Sequence, residues 1–288
     1  MPVVFVLIWS TGFIVARYGM PQSPPLKFLA LRFALALLCF GVWARLARAS
    51  WPAGPRQWWH LAVTGALMHA GYLGGVWAAV KLGMGAGLVA LLVGLQPVLT
   101  AMWVASRGGQ VAPRQWLGLA LGFGGLALVV WQKLGQGEVS AQTLGLSVLA
   151  LACITVGTLY QKQHVQPCAV PTANCVQNGA ALLVALPLAW LLETEAIHWN
   201  AQFIGAMAWS VLALTLGGSS LLYLMIQRGA ATAVTSLLYL VPPTTALMAW
   251  LLFGEPITVF TLAGTALTAF GVALVVRAPA TTTKRSTP

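Results

Sequence analysis

The feature that most constrains this chain is a stretch written twice. Around Pro97 it reads MGAGLVALLVGLQPVLTAMW, then a polar break, then WLGLALGFGGLALVV. Around Pro242 it reads GAATAVTSLLYLVPPTTALMAW, then FGEPITVF, then TLAGTALTAFGVALVV. Pro97 falls on Pro242, Gly118 on Gly264 and GLALVV on GVALVV. Self-similarity over so long a stretch marks an internal repeat. The chain reads as two copies of one unit.

The unit belongs in a bilayer. Of the 288 residues, 59% are hydrophobic and 7% charged, with a mean hydropathy of +0.85. Soluble domains carry about 25% charge, and such a chain cannot cover itself with polar surface in water. Since roughly 20 apolar residues span a bilayer core, the length accommodates about ten spans. The net charge of +11 does not point to nucleic acid, because the basic residues stand singly at the ends of apolar runs. Cys39, Cys153, Cys168 and Cys175 lie in or beside apolar runs without metal-ligand spacing and read as small buried hydrophobes. No metal, cofactor or nucleic-acid partner is expected.

In chain order, helix 1 begins almost at Met1, and neither a basic leader nor a small-residue cleavage site marks a signal peptide. Helix 2 is expected at about 26–46, helix 3 at 58–81, helix 4 around Pro97 and helix 5 at about 114–131. The longest polar break, QKLGQGEVSAQ, separates the halves. Helices 6 to 8 follow at about 143–160, 171–192 and 202–227, and helices 9 and 10 are the Pro242 and Gly264 segments. The expected units are 1–135 and 141–278, with 279–288 a disordered cytoplasmic tail.

Five helices per copy is an odd number, so tandem copies must cross the bilayer in opposite senses. The expected fold is therefore an all-α integral membrane protein of ten transmembrane helices, built as two inverted five-helix repeats around a central cavity. With the N-terminus inside, the cytoplasmic segments hold Arg45, Arg48, Arg56, Arg107, Arg114, Lys162, Arg228, Arg277, Lys284 and Arg285, against Arg17, Lys27, Lys81 and Lys133 outside. That is the positive-inside pattern. Glu138, Glu193, Glu195 and Glu255 then all fall at the outer face.

Arg32 is the only charge well inside an apolar run. It reads either as a fork for a substrate carboxylate or phosphate, or as a structural arginine that snorkels or binds helix carbonyls. Trp9, Ser10, Thr11, Tyr72, Trp77, Gln96, Gln177, Asn178, Tyr223 and Tyr239 could line a cavity, or could pack between helices. His69 reads as a satisfied core histidine. Pro97, Pro242 and Pro243 sit mid-span, where each removes a backbone donor and bends its helix. They are hinge candidates for alternating access, or static kinks. Gly83/Gly87 and Gly118/Gly122 have GxxxG spacing, suited to packing within one chain and also allowing a homodimer. Trp43, Trp58, Trp59, Trp116, Trp131, Trp190 and Trp199 read as interfacial anchors.

The IWSTGF start, PPLKFLALRFALALL in helix 2, the proline and small-residue pattern of helices 4 and 9, and GEPIT before the last helix resemble the EamA-type, ten-helix branch of the drug/metabolite transporter superfamily. The resemblance covers nearly the whole chain. It implies inverted repeats around a cavity and export of small metabolites such as amino acids across the inner membrane. One departure stands out. GEPIT carries Glu255, a gate candidate, whereas the matching first-half linker RGGQVA has no acid. With no Asp anywhere and no Glu mid-span, neutral, zwitterionic or anionic solutes fit better than cations. An intramembrane enzyme would need a nucleophile with a base, a metal cluster or paired acids. A channel would need a filter or charged ring.

Overall fold

The computed structural model describes residues 2–108, 112–134, 139–221 and 240–276. Among these residues the chain is helical throughout. It forms α1 (Pro2–Gly19), α2 (Pro25–Leu46), α3 (Gly54–Lys81), α4 (Ala86–Val93 continuing as Gln96–Ser106), α5 (Pro113–Leu134), α6 (Ala141–His164), α7 (Val170–Leu192), α8 (Ala201–Ser219), α9 (Val241–Phe253) and α10 (Val259–Val276). Eight of these are long and apolar enough to cross a membrane, and α9 and α10 are shorter apolar helices. The fold is that of an all-α, multi-pass membrane protein. Tyr223, Tyr239, Glu138 and the expected tail lie outside the described residues.

The helix starts follow from local chemistry. Proline occupies the first turn of α2, α3, α7 and α9, where its missing N–H is no loss and its φ is already helical. Ser140 and Thr143 form a reciprocal capping box at α6, and Asn200 Oδ1 accepts from Phe203 N at 2.8 Å to start α8. Gly254, at φ 65°, ends α9 in the left-handed conformation.

Three spans depart from the expected outline. Helix α3 begins at Gly54 rather than Trp58 and carries a π-helical stretch at Ala66–Gly71. Helix α8 carries another at Ser210–Ser219. Helix α4, expected as one bent span, is interrupted at Gly94 and Leu95 and restarts at Gln96, with Pro97 in the new first turn. A proline tolerated at the start of a helix is disruptive in its interior, so the break falls just ahead of it.

The halves interlock. Helix α5 packs on α10, α2 on α7, α4 on α9, α3 on α6 and α1 on both α8 and α9. Glycines set the closest approaches. A Cβ on Gly118 would lie 2.5 Å from Gly271 O, and one on Gly264 would lie 2.5 Å from Gly125 O. Gly87 and Gly94 face Ala246 and Pro242. Gly118 is thus covered by α10 of the same chain, Gly122 lies between α10 and Leu95 and Val98 of the α4 segment, and Gly87 is covered by α9. All seven anchor tryptophans are exposed, as an interfacial role requires.

Candidate functional site

Alternating helix directions gather Glu193, Glu195 and Glu255 at one end of the bundle, the acid-bearing end, and Arg45, Arg48, Arg56, Arg107 and Arg114 at the other. Between them lie two crossing hydrogen bonds. Arg32 on α2 is buried, and its Nε donates to Thr215 Oγ1 in the π-helical stretch of α8 at 3.1 Å. His69, in the π-helical stretch of α3, stands with Nε2 3.3 Å from Gln177 Oε1 on α7. The two bonds are repeat-related. Arg32 and Asn178, His69 and Thr215, and Gly118 and Gly264 are each the same distance apart in sequence (178 − 32 = 215 − 69 = 264 − 118 = 146), with Gln177 beside Asn178. A π-helical turn inserts one extra residue into the helix and recurs at functional sites. Here it presents Thr215 and His69 to the polar residues of α2 and α7.

The guanidinium is the distinctive group. Among the described residues it forms no ion pair, and no hydrogen bond to either terminal nitrogen is present. Four of an arginine's five donors are on those nitrogens. A buried charge without a counter-ion costs several kcal/mol, so this fork calls for a partner beyond those that the described residues supply. Tyr72, the residue after the α3 π-helical stretch, and His69 are within electrostatic reach of it. Further unspent polarity lies nearby in the bundle. Ser10 Oγ, Asn178 Oδ1, Ser210 Oγ and Ser220 Oγ are buried with no partner among the described residues.

The other candidates divide. Trp77 joins Phe28 and Phe203 in a buried aromatic layer, with Phe28 4.4 Å from the Trp77 ring and 5.5 Å from the Phe203 ring. This layer lies on the acid-bearing side of Arg32 and Tyr72, since Phe28 precedes Arg32 by one turn on α2 and Trp77 follows Tyr72 on α3. Trp9 is half-buried against Phe5. Thr11 accepts from Trp209 Nε1 at 2.9 Å. Gln96 donates to Thr158 of α6 at 3.0 Å, tying the restart of α4 to the second half. The proline segments, expected on either side of a cavity, touch instead: a Cβ on Gly94 would lie 2.8 Å from Pro242 Cγ. Small residues on both helices let the backbones meet. Pro243 follows in the same first turn of α9.

Two clasps between the halves escape sequence reasoning. At the acid-bearing end Glu193 accepts from Leu26 N and Lys27 N at 2.7 and 2.8 Å, capping α2. Glu195 holds Lys81 at 3.0 Å and its carbonyl accepts from Lys27 Nζ. Glu255 accepts from Ala86 N at 3.0 Å, capping α4. At the arginine-rich end Gln57 and Gln166 exchange two bonds, Thr172 donates to Ser50 O, and His60 Nδ1 lies 2.7 Å from Tyr160 Oη with His164 stacked on that ring. The available signal was the repeat offset, which pairs His69 with Thr215. Among the described residues no three His, Cys, Asp or Glu side chains gather as a metal site.

A family model described as the EamA-like transporter family matches residues 2–131 and again 143–277. The chain belongs to the EamA-like transporter family. It is similar, at 25% identity over 94% of this chain and 92% of the relative, to a Salmonella typhimurium protein named "Probable amino-acid metabolite efflux pump". It is also 25% identical, over 94% of this chain and 88% of the relative, to the uncharacterized transporter YvbV of Bacillus subtilis. The uncharacterized inner membrane transporter YedA of Escherichia coli K12 is 24% identical over 93% of this chain and 87% of its own. A solved crystal structure superimposes with a TM-score of 0.65 at 18% identity, covering 95% of this chain and 94% of that one. The protein is a membrane transporter, and the fold is shared with that structure.

Proposed function

We propose that this EamA-like protein is a secondary transporter of the inner membrane that exports a small neutral, zwitterionic or anionic metabolite, an amino acid or a relative of one, by alternating access. The observation that carries this reading is Arg32, a buried guanidinium at the crossing of the halves whose terminal donors have no protein partner among the described residues. A fork of that kind matches a carboxylate in geometry and charge. Tyr72, Ser10 and Asn178 supply neutral polar groups, and Trp9 an apolar wall. Gln96 and Trp77 bound the site toward α6 and toward the aromatic layer. The relatives named for amino-acid metabolite efflux and for the inner membrane support substrate class and location.

Units 1–135 and 141–278 are the two five-helix repeats that surround the site. Pro97, Pro242 and Pro243 act as hinges, Glu255 as part of one gate, and both termini face the cytoplasm. The test is counterflow in proteoliposomes screened across amino acids, nucleosides, sugars and organic acids. Accumulation driven by preloaded unlabelled solute identifies a carrier, whereas flux without counterflow is that of a channel and sinks the reading. A reporter fused after Thr287 should read cytoplasmic.

A further inference from the structure

We propose that Arg17 forms a second anion station, at the acid-bearing mouth, for the carboxylate of the same amphipathic solute that Arg32 holds at the centre. This rests on the transporter reading of the Arg32 site. At that mouth α1, α3, α8 and α9 frame an open cavity of about 520 Å³, whose wall includes Arg17, Tyr18, Lys81, Gln202, Leu252 and Phe253. Pockets of roughly 300–1,000 Å³ suit small organic ligands.

The charges in this cavity are unequally committed. Lys81 is neutralised by Glu195 at 3.0 Å and also donates to Met20 O. Gln202 spends its amide on the wall, donating to Tyr18 O at 2.7 Å and accepting from Gln22 Nε2. The neighbouring acids are engaged too: Glu193 caps α2 and Glu255 caps α4. Arg17, half-buried, has no hydrogen bond or ion pair among the described residues. Its guanidinium is the donor left over, beside an apolar wall that includes Leu252 and Phe253, with the Tyr18 ring 6.5 Å from that of Phe253. A guanidinium over an aromatic and aliphatic wall selects an organic anion with an apolar body and repels a cation.

The cavity is also in line with the central site. Arg17 stands seven residues after Ser10 on α1, two turns along one face, or about 10 Å. Ser10 Oγ is buried and without a partner among the described residues. On α3, Trp77 of the aromatic layer is followed by Val80 and Lys81 of the cavity wall. The layer of Phe28, Trp77 and Phe203 lies beside this cavity, with Phe28 against Gly19 of α1. Two anion stations in line give a carboxylate a charge partner at each end of this stretch, which lowers the cost of taking it out of water.

The test uses the full-length protein in phosphatidylcholine vesicles, phenylglyoxal to modify accessible arginines, and mass spectrometry of the Arg17 peptide. The probe is 3-phenylpropionate, with 3-phenylpropanamide as its uncharged twin. The expected result is several-fold slower modification of Arg17 with the carboxylate and none of that protection with the amide. Protection should persist in Arg32→Gln, a variant that loses counterflow. No protection by the carboxylate, equal protection by the amide, or protection abolished in Arg32→Gln would each overturn a separate station. Protection by added phosphatidylglycerol without the probe would reassign the cavity to a lipid headgroup and overturn it as well. Full counterflow by Arg32→Gln with Arg17 still protected would instead strike the central-site reading and leave the mouth site standing.

Discussion

The two halves perform the same structural duties with different chemistry. In the first half α2 carries Arg32 two turns in from its start, and the repeat counterpart on α7 is the neutral Asn178. The carboxylates run the other way: Glu193, Glu195 and Glu255 all come from the second half and reach back to the starts of α2 and α4 and to Lys81. The clasp the first half makes on the second uses amides, a hydroxyl on a carbonyl and an imidazole on a phenol. Hydrogen bonds to charged groups contribute about 1.5–3 kcal/mol and neutral ones about 1. The hydrogen bonds at the acid-bearing end are the stronger set, and the difference follows from which half carries the acids.

The contrast can be broken most severely at the seam where the halves touch backbone to backbone. Gly264→Leu places a side chain against Gly125 O and the Val129 side chain. Such overpacking cannot be absorbed by rotamer change. We expect little folded protein in the membrane fraction, and normal yield from this variant would show that α5 and α10 can separate freely. Arg32→Ala comes next: counterflow should fall to background while expression and detergent-solution size exclusion stay normal. Asn178→Ala, at the same place in the other repeat, should retain most of its transport. Equal loss from both would mean that the charge has no special role.

Glu193→Gln removes the charge from a carboxylate that caps two N–H groups of α2, costing roughly 2 kcal/mol. Gln57→Ala at the arginine-rich end should cost roughly 1 kcal/mol. Thermal unfolding in one detergent compares them, and the reverse order would refute the firmer acid-bearing end. Smallest is Glu255→Gln, where one bond to Ala86 N is weakened. We expect a shift of about 1 kcal/mol or less, seen mainly as faster hydrogen exchange at the start of α4.

Much of this architecture was legible in the residues because the bilayer restricts a chain so strongly. Apolar runs had to be helices, an odd repeat had to invert, and the GxxxG spacing of Gly118 and Gly122 suited close packing within the chain. The π-helical stretches were not legible. ALMHAG and SVLALTLGGS contain glycine but no proline, and glycine in a span does not announce an extra residue per turn. The contact of Gly94 with Pro242 was hidden for a related reason, since repeat alignment says that two segments are equivalent and not that they touch. Arg32 stood out because a lone charge in an apolar run is conspicuous. Its partner Thr215 did not, because a threonine in a span is ordinary. Glu193 and Glu255 were expected on one face and do share one end of the bundle, but their capping of helices in the opposite half needs three-dimensional proximity that spacing does not encode.

The glycine seam between α5 and α10 has a consequence for how the molecule is made. Residue 264 leaves the ribosome long after residue 125, so α5 enters the bilayer with its smooth face uncovered and waits for a partner not yet synthesised. The same holds for α2, which awaits α7, and for α4, which awaits α9. No half can finish on its own as it is born. Assembly must be completed late, after α10 arrives, and a chain truncated before that point would leave a bare glycine track for quality-control proteases to find.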